Sequence, residues 1–296
     1  MNTSRKSYFY ALIAILFWAT VPTAFKISLN VLNVLTMLTI ASVTSAFALF
    51  IILAAQGKYS LIRKSTGKEL LSSALLGFIN PFIYYIILLK AYQLLPAQVA
   101  QPLNMIWPII LVFLSVPLLG QKIKPASFAA LFISFIGVFI ISSQGKLLRP
   151  GHADISGVLL ATGSSVFWAF YFILNVRDRR DETVKLFLNF LFGSAYLIIA
   201  LMVTKDWQAG PQEIQGVLSS VYVGLFEMGI TFLFWLKALQ TAKTTDKISN
   251  LVYLAPFLSL ILVHFILHEP VYYTTPLGLV LIISGIWIQN RNKTAV

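Results

Sequence analysis

Long apolar stretches dominate this chain, and short polar segments separate them. Ten stretches have about the length, roughly 17–25 residues, that a helix needs to cross a bilayer. They run approximately over 8–25, 34–55, 70–89, 97–119, 125–142, 155–174, 184–203, 214–236, 248–267 and 274–289. The hydrocarbon core offers no partner to an unpaired backbone group, and the alternation typical of barrel strands is missing. The pattern therefore predicts an all-α, multi-pass membrane protein with ten transmembrane helices.

Composition and charge support this prediction and add an orientation. Of 296 residues, 58% are hydrophobic and 11% charged, whereas globular chains are about 25% charged. With ten spans, seventeen of the 22 basic residues fall on the side that holds both termini. Because basic loops resist translocation, we expect both termini in the cytoplasm and the chain in the inner cell membrane. The net charge of +12 is spread thinly along the chain, so we expect the lipid bilayer and no nucleic acid as its partner.

The chain also repeats itself. Phe17–Ala19 recurs 150 positions later as Phe167–Ala169, both reading Phe-Trp-Ala. Lys90–Gln93 recurs 147 positions later as Lys237–Gln240, which differs only in its third residue. These registers predict two copies, residues 1–146 and 150–296, each with five spans. Because five is odd, the second copy enters the membrane from the opposite side, as an inverted repeat. Such repeats can expose a central site to each side in turn, which is the logic of a transporter.

Together these features carry a resemblance to a known family. Five plus five inverted helices, Phe-Trp-Ala in the first span of each half, the two Lys-Ala-x-Gln segments and a mid-span proline (Pro108, Pro256) resemble the EamA family of the drug/metabolite transporter superfamily. Within it, the chain is most similar to bacterial amino-acid and aromatic-metabolite exporters. The resemblance implies export of a small metabolite through a central cavity. The chain departs from the family pattern at Gln121, where an acid is expected.

One ionisable residue lies deep in a predicted span. Glu227 is thirteen residues after Ile214, roughly 20 Å along a helix. A charge in lipid is costly, so a mid-span carboxylate indicates function: a counter-charge for a substrate amine, or a proton carrier. The alternative is a protonated side chain in a structural interhelical hydrogen bond. Thr231 lies on the same helix face as Glu227. In the first copy that face becomes Asn80 and Tyr84.

Polar and aromatic side chains in neighbouring spans complete the candidate site. Asn104 lies one turn before Pro108, with Trp107 adjacent, and Trp168 and Tyr171 lie inside the sixth span. Such rings can stack on a planar solute. Tyr85 is a candidate of the same kind, and Trp18, the equivalent of Trp168 in the repeat, is a weaker one. The predicted binding residues are Asn80, Tyr84, Asn104, Trp107, Trp168, Tyr171, Glu227 and Thr231. Pro108 and Pro256 are predicted kinks that suit gating, with packing kinks as the alternative.

Motifs for chemistry are missing from the chain. It has no Walker loop, no His-Glu-x-x-His and no cysteine, so we expect neither ATP hydrolysis, catalysis nor a cofactor. His264 and His268 are four residues apart but lack a third ligand of convincing spacing, and we expect no metal site. The sequence predicts a secondary transporter of a small molecule, as a monomer or homodimer. The alternatives are a passive channel and an intramembrane or lipid-handling enzyme.

Overall fold

The computed structural model describes residues 3–95, 100, 103–143, 154–208, 213–267 and 272–291, and these residues contain helices and no strands. The helices are α1 (Thr3–Leu29), α2 (Val34–Ala55), α3 (Ser60–Arg63), α4 (Gly67–Gly77), α5 (Tyr84–Leu94), α6 (Trp107–Leu119), α7 (Pro125–Ser142), α8 (Ile155–Arg177), α9 (Glu182–Thr204), α10 (Ile214–Val223), α11 (Ile230–Thr241), α12 (Thr245–Leu251), α13 (Leu254–Leu267) and α14 (Thr274–Arg291). Two distorted segments, π1 (Phe78–Ile83) and π2 (Gly224–Gly229), join α4 to α5 and α10 to α11. The segment π2 is π-helical, whereas in π1 the helix is kinked at Asn80, whose φ of −148° and ψ of 120° are extended. Six helical stretches in this part of the chain are long and apolar enough to cross a membrane, and three shorter apolar helices accompany them. The chain is therefore a multi-pass membrane protein.

Two predicted spans are less regular than the apolar pattern indicates. The ninth is divided at Val252 and Tyr253, between α12 and α13. Pro256 explains the break, because it has no amide hydrogen and its ring crowds the carbonyl four residues earlier. In the fourth span a turn at Met105 and Ile106 precedes α6 in the same way, and Pro108 is the second residue of that helix. Both breaks lie at equivalent places in the two halves.

Helices of the first half pack mainly on helices of the second half. Helix α2 packs against α9, and α7 packs against α14. Most of the other main contacts come in equivalent pairs: α5 on α8 and α11 on α1, α6 on α8 and α13 on α1, α4 on α9 and α10 on α2. The two halves are thus interleaved around a pseudo-two-fold arrangement, and neither forms a separate bundle.

Glycines at equivalent positions make this close packing possible. A Cβ on Gly137 in α7 would lie 2.6 Å from the carbonyl oxygen of Gly278 in α14, and one on Gly285 in α14 would lie 2.6 Å from the carbonyl oxygen of Ala130 in α7. Gly77 and Gly224 likewise bring the two π-segment spans against α9 and α2. Helix backbones can approach this closely only where one residue has no side chain, which is the usual mode of packing in membranes.

The loops at both ends of the bundle show that α2 and α9 run in opposite directions. Lys58, just after α2, donates to Asp181, just before α9, with Nζ and Oδ2 2.6 Å apart. At the other end Asn33, just before α2, donates to the carbonyl oxygen of Asp206, just after α9, at 2.6 Å. We call the end with residues 178–181 the arginine end. Since the repeat makes α2 and α9 equivalent, these equivalent helices are antiparallel.

Candidate functional site

The segments π1 and π2 lie 146 positions apart, within one residue of the 147-residue register of the sequence repeat. Each interrupts its span near the middle, π1 as a kink at Asn80 and π2 as a π-helical turn of the kind that often accompanies functional sites. Asn80 lies in π1 and Glu227 in π2, at equivalent positions. Asn80 is fully buried, and neither its amide nitrogen nor its amide oxygen has a protein hydrogen-bond partner. The sequence predicted both residues but not the local backbone geometry that presents them.

Glu227 joins the two halves of the chain. Tyr85 in α5 donates from its hydroxyl to Glu227 Oε1, with the two oxygens 2.8 Å apart. Trp18 in α1 donates from Nε1 to the backbone carbonyl of Glu227 at 3.2 Å. Tyr85 is fully buried, whereas Glu227 is only partly so. The mid-span carboxylate is therefore held by a phenol from the opposite half and keeps partial access to the space beside it.

A polar chain runs beside this pair. Tyr84 donates to Asn104 Oδ1 across 3.5 Å, and Asn104 Nδ2 donates to Ser164 Oγ at 2.9 Å. The rings of Tyr84 and Tyr85 are edge to face, with centroids 4.6 Å apart. These residues belong to α5, α8 and the turn before α6, so the predicted Tyr84 and Asn104 do meet in the fold.

Four tryptophans from four spans form the centre of the bundle. Trp107 and Trp168 have ring centroids 3.9 Å apart. Trp18 lies 5.7 Å from Trp168, its sequence equivalent, and 5.2 Å from Trp235. Trp107 and Trp235 are 5.6 Å apart, edge to face. We call Trp18, Trp107, Trp168 and Trp235 the tryptophan cluster. Trp235 was not among the sequence candidates, although its place on the same helix as Glu227 could have indicated it.

Two of the predicted binding residues are buried, and their hydroxyl groups form hydrogen bonds within the protein. Thr231 is fully buried, and its hydroxyl donates to the backbone carbonyl of Phe226 in its own span. Tyr171 is fully buried between Phe172 and Phe232, and its hydroxyl accepts from Asn189 Nδ2 at 3.4 Å. The structure thus brings Tyr84, Asn104, Trp107, Trp168 and Glu227 together at mid-span. Thr231 and Tyr171 contribute to the walls around them.

A cavity of about 580 Å³ opens at the arginine end, between α1, α8 and α11. It is lined by Tyr10, Val176, Asp178, Arg179, Arg180, Glu182, Lys237, Gln240 and Thr241. Arg180 and Asp178 form an ion pair with Nη2 and Oδ2 2.6 Å apart. Burial acts to raise the pKa of Asp178, but the hydrogen bonds from Arg180 outweigh it and the pKa lies below its usual value. The wall of this cavity therefore remains charged at neutral pH.

The second Lys-Ala-x-Gln segment has a structural role at this end. Lys185 in α9 is fully buried and donates from Nζ to the carbonyl oxygen of Asp178 at 2.7 Å. With the Gln240 amide oriented to satisfy both neighbours, its oxygen accepts from Lys185 Nζ at 2.9 Å and its nitrogen donates to Glu182 Oε1 at 2.6 Å. The glutamine at the end of α11 therefore ties that helix to the start of α9.

Gln121, where the family pattern has an acid, caps the start of α12 in the second half. Its Oε1 accepts from the backbone N–H of Thr245 at 3.0 Å and from the Thr245 hydroxyl at 3.1 Å. An amide oxygen supplies this acceptor as well as a carboxylate would, so the departure preserves the contact. The equivalent Glu269 lies outside the described residues, as does His268. Among the residues that the structure does describe, no three histidine, cysteine or acidic side chains cluster as metal ligands would.

Comparison with known proteins places the chain in a family. The model of the EamA-like transporter family matches residues 5–143 and 155–291, so the chain belongs to this family. An uncharacterized transporter, YvbV, of Bacillus subtilis (strain 168) is 26% identical over 83% of this chain and 79% of its own length. The aromatic amino acid exporter YddG of Ancylobacter novellus is 25% identical over 61% of this chain and 62% of its own. A crystal structure covering 97% of the chain superposes with a TM-score of 0.81 at 19% identity, which shows a shared fold. The chain is thus a membrane transporter, and nothing in these comparisons points to catalysis.

Proposed function

We propose that this protein is a secondary transporter that exports an amino acid or a related amine by alternating access. The observation that carries the proposal is the hydrogen bond between Tyr85 and Glu227, because it joins helices of opposite halves at mid-span, beside the tryptophan cluster. A substrate ammonium group would replace the tyrosine as partner of the carboxylate, and the surrounding rings would hold the rest of the solute. Glu227 is also the candidate proton carrier.

Ten transmembrane helices and an inverted repeat belong to this proposal. The antiparallel course of α2 and α9 supports inversion, because these helices are equivalent in the repeat. Residues 1–146 and 150–296 would then be two copies of five spans each. Both termini would lie in the cytoplasm, and the protein would lie in the inner membrane of the cell. The arginine end would face the cytoplasm, since Arg177, Arg179 and Arg180 are concentrated there.

The packing suggests how the exchange of states would occur. Helices α5, α6 and α8 form one group, and α1, α11 and α13 form its equivalent. Helix α12 belongs to the second group, since it precedes α13 in the same span and contacts α1 and α11. Within the described part of the chain, the main helix contacts between the groups lie toward the arginine end, where α8 meets α11 and α12 meets α6. We infer a state in which the tryptophan cluster at mid-span, together with the Lys185–Gln240 contact between α9 and α11, closes the path from the arginine end. Rocking of the two groups, aided by the breaks before Pro108 and Pro256, would open the 580 Å³ cavity toward the site.

Proteoliposome flux tests the proposal, with radiolabelled L-phenylalanine, L-alanine and putrescine as probes. We expect saturable uptake of at least one probe, accelerated by unlabelled solute on the opposite side. A channel would show no such counterflow, and an enzyme would show no flux. Glu227→Gln should abolish transport while leaving folded protein in the membrane. Asp206→Asn, a carboxylate exposed at the far end of the bundle, serves as the matched control. Glu227→Gln flux equal to that of the wild type, with the same pH response, would remove Glu227 from the mechanism.

A further inference from the structure

A second buried carboxylate lies away from Glu227, in the short helix α12. Asp246 is only 4% exposed. Its Oδ2 accepts from Gln289 Nε2 of α14, and the same nitrogen donates to Ser127 Oγ of α7 at 3.1 Å. The carboxylate therefore lies where α7, α12 and α14 meet, near the arginine end. The transport site described above uses none of these residues.

Among the residues that the structure describes, no ion pair compensates this carboxylate. Within the described residues, the ion pairs join Lys58 to Asp181 and Arg180 to Asp178, and none involves Asp246. An ionised carboxylate without a partner is expensive to bury. Its position in the first turn of α12 helps, because the helix dipole favours an acid there. The helix dipole favours the negative charge of Asp246, but it leaves the unpartnered polar atoms beside that carboxylate unexplained.

Four buried oxygens around this point lack a protein hydrogen-bond partner. They are Asp246 Oδ1, Ser249 Oγ, Asn250 Oδ1 and Gln289 Oε1. Ser249 and Asn250 come three and four residues after Asp246, so all three lie on one face of α12. Gln289 already contacts Asp246. Buried polar groups in native proteins are nearly always satisfied, so a group of unpartnered oxygens on one face of α12 and on the contacting Gln289 indicates a bound partner.

We propose that Asp246, Ser249, Asn250 and Gln289 form a binding site for a monovalent cation, Na⁺. The ligand set is one carboxylate, one hydroxyl and two amide oxygens, all hard donors that suit an alkali or alkaline-earth ion. A calcium or magnesium site would use more carboxylates to balance two charges. The single negative charge of Asp246 balances one positive charge. An ion here supplies both the counter-charge and the missing partners.

The site has a structural consequence at the arginine end. Helix α12 contacts α6 as well as α7 and α14, and Gln121 caps its first residue. The α12–α6 contact is one of the two main contacts between the helix groups at this end. A bound cation therefore holds α12 in place and stabilises the closed arrangement of that end.

Thermal unfolding of the purified protein in detergent tests this site without any substrate. NaCl is titrated against choline chloride at constant ionic strength, with KCl as a second series. We expect a saturable rise in the unfolding temperature with Na⁺, because a ligand of the native state raises apparent stability. Asp246→Asn should lose this rise, and Asp206→Asn should keep it. If Asp246→Asn does not fold, Ser249→Ala and Asn250→Ala should each shift the Na⁺ titration to at least tenfold higher concentration.

Three results would overturn the assignment. They are equal unfolding temperatures in NaCl and choline chloride, a response to K⁺ that Na⁺ does not produce, and a full Na⁺ response in Asp246→Asn. Because unfolding is measured without transport, failure of this site would leave the proposed transport function untouched. Loss of flux in Glu227→Gln with an unchanged Na⁺ response would show that the cation site does not depend on the transport site.

Discussion

Tyr85 and Glu227 come from opposite halves of the chain, and their side-chain oxygens lie 2.8 Å apart in the middle of the bundle. The bond has the usual length for a hydroxyl donor and joins the two helix groups that we expect to move against each other. Whatever binds Glu227, whether a proton or a substrate amine, competes with this bond. The pair can therefore link occupancy of the site to the separation of the groups.

Removing the Tyr85 hydroxyl should impair transport with little change in fold. A hydrogen bond to a charged group contributes about 1.5–3 kcal/mol, so Tyr85→Phe should slow flux by roughly tenfold or more. Radiolabelled flux and thermal unfolding measured on the same preparation check this. Tyr196→Phe is the control, since Tyr196 also donates between helices, to the carbonyl oxygen of Ala74 at 3.3 Å, away from the site. Equal losses in the two variants would show that Tyr85 acts only in packing.

The contact between α7 and α14 should tolerate no side chain at Gly285. A Cβ there would lie 2.6 Å from the carbonyl oxygen of Ala130 and 3.0 Å from the backbone nitrogen of Ser134, so the two helices must move apart. We expect Gly285→Ala to lower the free energy of unfolding by about 1–3 kcal/mol. Gly163→Ala in α8 meets nothing within 4 Å and should be neutral or stabilising by up to about 1 kcal/mol. Thermal unfolding of both variants in one detergent gives the comparison.

Asp181 should contribute through its charge and through its position as a helix cap. Its Oδ1 accepts from the backbone N–H of Thr183 at 3.0 Å, and its Oδ2 accepts from Lys58. Asp181→Asn keeps the cap and loses the ion pair, which is half-exposed on the lysine side and should contribute about 0–1 kcal/mol. Asp181→Ala loses both and should cost about 1 kcal/mol more. Urea unfolding of the pair of variants would separate the two effects.

The pH dependence of the same residue has a definite sign. Burial acts to raise the pKa of Asp181, but Lys58 and the backbone N–H groups lower it below its ordinary value. A carboxyl with a depressed folded pKa stabilises the fold above its unfolded pKa, about 3.9, and loses that contribution as the pH falls through the lower folded value. The stability difference between wild type and Asp181→Asn should therefore be constant from pH 7 to about 5 and shrink below pH 4. A difference that grew on acidification would contradict this.

The chain has no cysteine, so single introduced cysteines report topology directly. Lys64 and Asp206 are both exposed, at opposite ends of the bundle. In intact cells, a membrane-impermeant maleimide should label Asp206→Cys but label Lys64→Cys only after lysis. Labelling of both variants from outside, or of neither, would refute the proposed orientation.

Several elements of the fold follow from apolar patterning alone. The stretches predicted over 34–55 and 125–142 are the helices α2 and α7, and most other predicted spans extend by only a few residues at their ends. These ends are set by local chemistry, since Asp154 and Asp181 cap α8 and α9 with their side chains. The π-helical turn of π2 could not be read in the same way, because its apolar pattern is that of an ordinary helix, whereas Pro81 is a local signal for the kink in π1. The positions of π1 and π2 coincide with the close approaches of Gly77 to α9 and Gly224 to α2.

The residues of the candidate site likewise fall into those that the sequence could identify and those that it could not. Glu227 could be identified from the sequence because a lone mid-span carboxylate is costly in hydrocarbon, and the repeat pointed to Asn80 and Tyr84. Nothing local indicated that Tyr85, the neighbour of Tyr84, would be the residue to reach Glu227, because one residue along a helix turns the side chain by about 100°. For the same reason, the sequence did not indicate that the Thr231 hydroxyl donates to a backbone carbonyl of its own span.

By itself, the sequence determined the class of protein, its helical composition, its internal duplication and the one mid-span acid. These depend on transfer of side chains to lipid and on local periodicity, which are properties of each segment alone. Tertiary structure decided which side chains meet: Trp18 with Trp168, Tyr85 with Glu227 and Gln289 with Asp246. Those contacts join residues more than forty positions apart, and they depend on how interleaved helices rotate about their axes, which no single segment specifies.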